Sequence, residues 1–499
     1  MSAYLQLEDR FRRAALLGDA EGILHWDMST MMPEGSANGR GEQLAVLKRA
    51  GHEIITAPET ESLLDEAAEA TAGLDEWQQA NLAEMRRNWI HANAVPGDLV
   101  EALSKAASSC EMEWRRARAE NDFPGILPFL ETVLTLVREV AAAKSQALDC
   151  SPYDALLDEY EPGGRCADID VLFTDLRAFL PGFLERVRQH QASEPEILMP
   201  EGPFPVAAQR DLGLKLMAGA GFDFNRGRLD ISLHPFCGGA SEDVRITSRY
   251  DEDDFTQGLM GVMHETGHAL YEFGLPGDRR YQPVGRARSM SLHESQSLLV
   301  EMQVCRSRAF LVSAAPLMRA AFAASGPAWE VDNLSRLYTR VRPGFIRVDA
   351  DEVTYPAHVI LRYDLERAMI GGDLLPADLP GAWNEGMQRL LGIVPKTDRE
   401  GCLQDIHWFD GAWGYFPTYT LGAMSAAQIF ASAKASDAGI VPAIEKGDFT
   451  PLMAWLRANI HSKGSLLSVP DLMQSATGAP LSTAAFKRHL EERYLGGKC

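Results

Sequence analysis

Apolar residues recur at intervals of three and four along nearly the whole chain, and only one stretch changes to an interval of two. That contrast constrains the fold more than any other feature. An interval near 3.6 belongs to a helix with one buried face, and an interval of two to a half-buried strand. Phe129, Val133, Val137 and Ala141 form one such helical stripe. Ala, Leu, Glu and Arg, all good helix formers, are frequent throughout. No segment repeats at a fixed period, which excludes a solenoid. The expectation is a mainly α protein, a large helical body with a small β element set into it. It reads as a single domain over residues 1–499, with room for two lobes, about 1–205 and 206–499, meeting near the proline-rich run Pro195–Pro205.

The exception lies at residues 229–247. Leu229, Ile231 and Leu233 alternate with Asp230, Ser232 and His234; Val244 and Ile246 alternate with Asp243, Arg245 and Thr247. The connector between them, residues 235–242, carries Gly238-Gly239, a pair suited to a turn. These signs predict a two-stranded antiparallel ribbon whose polar face gathers His234, Asp243, Arg245 and Thr247. A plain solvated hairpin accounts for the same pattern.

Composition excludes several classes. With 46% hydrophobic and 24% charged residues, 499 residues can bury a large core without disulfides. A net charge of −22 disfavours a nucleic-acid binder, which meets phosphates with a basic face. No apolar run approaches the roughly 18 residues of a membrane span, and residues 1–20 carry charges too often for a signal peptide. The seven cysteines are scattered, odd in number and without a CxxC pair. Reduced thiols in a cytoplasmic protein are the expectation.

Chemistry concentrates just after the β element. Residues 251–274 read as one helix. Asp253 or Asp254 caps it, Phe255, Leu259, Val262, Met263, Leu270 and Phe273 form its apolar face, and Gly274 with Pro276 ends it. Within it stands His264-Glu265-Thr266-Gly267-His268, the pattern H-E-x-x-H. Positions i and i+4 share one helix face, so the two imidazoles can bind one Zn²⁺, with Glu265 placed as general base on a water at the metal. With 12 histidines and 70 acidic residues, chance would give H-[DE]-x-x-H only about 0.04 times in such a chain. The plainer reading is two histidines satisfied in a helical core.

A catalytic zinc keeps three protein ligands and an open position. Tyr271 and Gly274 stand where the metzincin extension needs Gly and His, so the third ligand is expected to be a downstream carboxylate. Residues 287–311 read as the next long helix. Glu294 in its first turns leads modestly, Glu301 two turns on is a second candidate or an orienting partner for a ligand imidazole, and Glu272 is a third. His293 is a distractor beside them. Such an N/O site also accepts Co²⁺ or Mn²⁺.

Two later segments offer substrate contacts. Arg347, just before a further helix, could grip a carboxylate by two prongs, although pairing with Asp349 or Asp351 is the plainer reading. Residues 401–422 bring Gln404, Asp405, His407, Trp408, Tyr415 and Tyr419, where a tyrosine hydroxyl could serve an oxyanion or simply pack.

In all these segments the chain resembles the carboxypeptidase Taq family of zinc metallocarboxypeptidases. His25-Trp26-Asp27, Thr30-Met31-Met32-Pro33 and residues 153–163 look like its N-terminal segments. His234-Pro235-Phe236, then Asp243, Arg245 and Thr247, then the H-E-x-x-H motif and His293-Glu294-Ser295-Gln296 follow in the family's order. Ile346, Arg347, Ala350 and Asp351, and later Gly401, Gln404, Asp405, His407 and Trp408, continue it; Asn459-Ile460-His461 and Gly464-Ser465 also look familial. The resemblance implies Glu294 as the third ligand, Glu265 as the base and Arg347 as anchor of the substrate's terminal carboxylate. It implies Tyr415 and Tyr419 as oxyanion or substrate contacts, with His234, Arg245 and His407 lining the cleft. It also implies a cytoplasmic homodimer with a deep groove and a small sheet beside the zinc, a fold like that of neurolysin-like zinc oligopeptidases. The expected activity is broad removal of C-terminal residues from peptides with a free C-terminus. An endo-acting oligopeptidase and a non-enzymatic peptide-binding scaffold are the alternatives. Two departures stand out: Cys237 after the HPF block, expected to make the protein oxidation-sensitive, and Pro356, which fits only a first helical turn.

Overall fold

The computed structural model describes residues 2–496; Cys499, one of the thiols expected to be reduced, lies outside them, and the other six cysteines are free. Helices make up most of the chain, from Ala3–Thr30 to Thr483–Leu495, and the strands among the described residues form one small sheet. No helix among these residues is long and apolar enough to cross a membrane.

The main core draws on residues from Cys110 to Tyr494 and continues across the proline-rich stretch, where Phe204 meets Phe255 and Phe322 edge-on. A separate small cluster joins Tyr4, Leu7 and Phe11 of the first helix to Leu63, Leu64, Leu82 and Met85. The stripe 129–141 is out of phase by one residue at its start. Phe129 is exposed, and Ile126, Leu130 and Val133 take the buried side of helix Phe123–Leu148.

The β element departs most from expectation. It has three strands, β1 (Gly227–Ile231), β2 (Cys237–Ala240) and β3 (Asp243–Ser248), in the order β1-β3-β2. β1 and β3 run parallel, with Leu229 opposite Ile246; β2 runs antiparallel to β3, with Cys237 opposite Ile246. The Gly238-Gly239 pair is therefore strand, and Ser241-Glu242 makes the turn. The chain reverses twice, so its third pass slots between the first two. Gly239 has φ +100°, and a Cβ there would lie 2.1 Å from the Asp243 carbonyl oxygen, so the tight return needs glycine. Leu229, Val244 and Ile246 are buried as the alternation predicts, but Ile231 and Leu233 point to solvent because β1 ends at Ile231. The polar face does not gather as one group either: Thr247 is buried and His234 is exposed.

The motif helix is Phe255–Gly274, capped by Asp254, whose side chain accepts from the Thr256 amide. The next helix is shorter than its sequence suggests. Met290–Leu298 is α, Leu299–Cys305 is a π-helix, and a new helix begins at Arg308. Pro356 sits in the first turn of Tyr355–Gly371, as its ring requires.

Candidate active site

Glycine lets the motif helix and Met290–Leu298 approach backbone to backbone. A Cβ on Gly267 would stand 2.5 Å from the Gln296 carbonyl oxygen and 2.6 Å from Ser297 Cα. A second close approach comes from Gly422, inside helix Pro417–Ser436, where a Cβ would lie 2.8 Å from Glu294 Cγ. These two glycines decide where Glu294 can be, and neither was singled out from the sequence. Their signal was available, because glycine inside a helix weakens it and so marks a packing reason.

Donor atoms of His264, His268 and Glu294 lie within 4.8 Å of one another. Glu294 Oε2 is 3.8 Å from His264 Nε2 and 3.6 Å from His268 Nε2. The other ring nitrogens are committed. His264 Nδ1 donates to Glu301 Oε2 at 2.9 Å, and His268 Nδ1 donates to the His293 carbonyl oxygen at 3.1 Å. With Nδ1 of each ring hydrogen-bonded behind it, Nε2 is the atom that faces Glu294 and the one available to a metal once any proton on it is displaced. Two imidazole nitrogens and one carboxylate oxygen, each histidine oriented by a partner behind it, are a donor set that fits a catalytic divalent metal.

The electrostatics agree with a cation there. Burial lowers the His264 pKa, but Glu294 and Glu301 outweigh it and raise the group to about 10. A proton thus sits where a metal ion would displace it. Burial, aided by the positive charges of His293 and His264, pushes His268 well below its usual range. Glu265 is almost fully buried; burial, opposed by His264 and reinforced by Glu294, raises its carboxyl to about 7. The other two candidate ligands have different partners. Glu301 is tied to His264 and Arg306, and Glu272 accepts from His293 Nε2 at 2.9 Å.

Arg347 pairs with neither Asp349 nor Asp351. Its Nε and Nη2 donate to Asp405 Oδ1 at 3.1 and 2.8 Å, and its guanidinium lies 4.7 Å over the Tyr419 ring. Asp351 instead accepts from the backbone amides of Arg342, Val353 and Thr354. The second oxygen of Asp405 takes Arg362 Nε at 2.7 Å, a partner the sequence did not reveal. Burial would raise the Asp405 carboxyl, but Arg347 and Arg362 hold it well below the usual range.

His407 Nε2 is 3.2 Å from the Tyr419 hydroxyl, and Tyr415 packs edge-on to both Tyr160 and Tyr419. Burial lowers His407 to about 4, Asp405 opposing, so the ring is neutral. Tyr415, Tyr419 and Arg347 all lie within electrostatic reach of Glu294, so these groups flank the triad. Neither His234 nor Arg245 has a hydrogen bond or ion pair to the triad among the described residues. Arg245 is clamped to Asp243 and lies 4.5 Å over the Trp26 ring. Cys237 is beside the site: burial, with Glu265 and Glu272 nearby, drives its thiol well above the usual range. A thiol held protonated is a poor nucleophile, which disfavours oxidation of Cys237 at that position.

The match to known proteins is extensive. The family profile described as carboxypeptidase Taq (M32) metallopeptidase covers residues 6–494. Thermostable carboxypeptidase 1 of Thermus thermophilus is 39% identical, with 99% of this chain and 98% of that protein aligned. Carboxypeptidase 1 of Bacillus subtilis is 32% identical over 97% of each chain. The solved structure of metallocarboxypeptidase 1 of Trypanosoma cruzi has a TM-score of 0.97 at 41% identity, covering 99% of both chains. A helical zincin-like body, a largely buried His-His-Glu cluster and full-length similarity to carboxypeptidases lead to one conclusion: the chain belongs to the carboxypeptidase Taq (M32) metallopeptidases and is a metallocarboxypeptidase, a hydrolase acting on peptides.

Proposed function

We propose that this enzyme uses Zn²⁺, held by His264, His268 and Glu294, to remove single C-terminal residues from peptides with broad specificity. The observation that carries the reading is the commitment of both Nδ1 atoms, which leaves the two Nε2 atoms converging on Glu294. Co²⁺ or Mn²⁺ would fit the same donors. A bound ion supplies Lewis acidity, polarising the scissile carbonyl and lowering the pKa of a water at the position three protein ligands leave open.

The chain's own residues do the rest. Glu265 accepts the proton of the attacking water and passes it to the leaving amine; a carboxyl near 7 suits both roles, and a cation nearby draws it lower. The Tyr415 carbonyl accepts from Thr418, but its hydroxyl has no hydrogen-bond partner among the described residues, which leaves it free to donate to the oxyanion. Tyr419 is engaged with His407 and Arg347, and it steadies the anchor. Arg347 receives the substrate's terminal carboxylate. Asp405 holds its guanidinium rigid, and Arg362 keeps the pocket positive after Asp405 is counted. His234 and Arg245 contribute the outer wall. A homodimer, the state the family resemblance implies, would sediment near twice 54.9 kDa.

The test is one peptide in two forms, with a free and an amidated C-terminus, digested by the zinc-loaded enzyme and read by mass spectrometry. A ladder of C-terminal losses from the free form alone is expected. Internal cuts in both forms would make the enzyme an oligopeptidase, and no cleavage after zinc or cobalt addition would leave a peptide-binding scaffold.

A further inference from the structure

The π-helix Leu299–Cys305 is buried throughout, and the mechanism above does not use it. It decides the direction of Glu301. In an unbroken α-helix, residues seven apart lie almost above one another, so Glu294 and Glu301 would point at the same place. A π turn closes on i+5, here the Arg306 amide donating to the Glu301 carbonyl oxygen at 3.1 Å, and each residue advances less around the axis. Glu294 therefore meets the Nε2 edges of the two histidines while Glu301 reaches the Nδ1 edge of His264.

Such a turn needs support, because the last carbonyls of a helix have no partner within it. The support comes from the far end of the chain. Arg493, on helix Thr483–Leu495, donates from Nη1 to the Met302 carbonyl oxygen and from Nη2 to that of Gln303 at 2.9 Å. Its Nη1 also donates to Glu352 Oε2 at 3.1 Å. Glu352 is fixed in turn by His489 Nε2 at 2.7 Å and the Tyr494 hydroxyl at 3.0 Å. Arg306, which grips the second oxygen of Glu301 at 2.5 Å, lies within electrostatic reach of Glu352 and Tyr494.

We propose that Arg493 is a positioning residue for the metal site: by capping the π turn it sets Glu301 against His264. It touches neither the triad nor a substrate. The proposal rests on the metal reading above. The same helix provides its own control, because Lys487 pairs with Asp175 at 2.7 Å, on helix Cys166–Gln191, and ties the helix down without touching the π turn.

The experiment loads the full chain with Zn²⁺ and measures its release to excess chelator at a temperature well below unfolding, with circular dichroism and Tm recorded for each variant. Removing an orienting partner of a metal ligand weakens metal affinity by about 10–100-fold, and Glu301→Gln should fall in that range. Arg493→Ala should release zinc about tenfold faster than the wild type, and Arg493→Lys, which can serve one carbonyl, should fall between them. Lys487→Ala should lower Tm yet release zinc at the wild-type rate. The double variant Glu301→Gln/Arg493→Ala should be no worse than Glu301→Gln alone. Wild-type release from Arg493→Ala would overturn the proposal, as would equally fast release from Lys487→Ala, which would mean general loosening. If Arg493→Ala fails to fold, Arg493→Lys decides by the same criterion. A wild-type chain that takes up no zinc, or a His264→Ala chain that holds it as tightly, overturns the metal reading as well, and so separates the two failures.

Discussion

Glu301 and Asp405 are both buried carboxylates clamped by arginine, yet the charge around them differs in sign. Near Glu301 stand Glu294 and Glu265, and Arg306 answers one of these carboxylates. Asp405 meets Arg347 and Arg362 together, so one positive charge is left over. In a poorly screened interior, an unbalanced charge chooses what binds beside it. On the reading proposed above, the first region accepts a cation and the second an anion. A carboxypeptidase needs both at a fixed separation, so that a terminal carboxylate placed on one side sets the bond presented to the other.

The largest effect expected from breaking this arrangement lies on the cation side. Glu265→Gln keeps the shape but removes the base, and kcat should fall by about 10²–10⁴-fold with zinc content unchanged. Loss of zinc together with activity would move Glu265 from base to support.

On the anion side, Asp405→Asn leaves two guanidiniums buried against each other. Breaking a buried pair in this way should cost about 3–5 kcal/mol, a loss that chemical denaturation would measure. The pH dependence has a definite sign. The folded Asp405 binds its proton less readily than the unfolded chain, so its stabilisation is complete above the ordinary carboxyl value of 3.8 and drains away as pH falls below it. Asp405→Asn should flatten that acid limb. An unchanged limb would mean that other carboxylates dominate acid unfolding.

Arg347→Ala tests the anchor itself. The kcat/KM for peptides with a free C-terminus should fall by about 30-fold or more, as for a lost buried charge pair of 2–5 kcal/mol, while internal cleavage of amidated peptides should not appear. Equal loss on every substrate would make Arg347 structural.

How much of this was legible in the sequence follows the range of each interaction. The motif helix was legible because its cap, apolar face and two histidines all lie within one local period. The mainly helical body was legible for the same reason. Glu294 led only modestly over Glu301 and Glu272, because the choice depends on how two helices pack. The partner of Arg347 was missed because it lies 58 residues away, and nearer aspartates offered themselves. The π turn left no mark on the three-and-four spacing. The strand order was misread because Gly238-Gly239 has the composition of a turn, and only the return of β3 between the other strands makes it a strand.

The glycine contacts give the smallest expected effect and the finest test of the two-sided arrangement. Gly267→Ala places a methyl against backbone atoms of Gln296 and Ser297, which cannot rotate aside, so Met290–Leu298 must move. Gly422→Ala places one against the Glu294 side chain, which can move only by giving up its direction. Each overpacking should cost about 1–3 kcal/mol of stability. Their effects on the cleft should differ. Gly267→Ala shifts the helix that carries Glu294 and should weaken zinc binding along with stability. Gly422→Ala also disturbs the helix that begins at Pro417 and carries Tyr419, so KM for free C-termini should rise as zinc weakens. If Gly422→Ala alters zinc release but leaves KM untouched, the two sides are held independently. A parallel change would mean that one helix sets the distance between them.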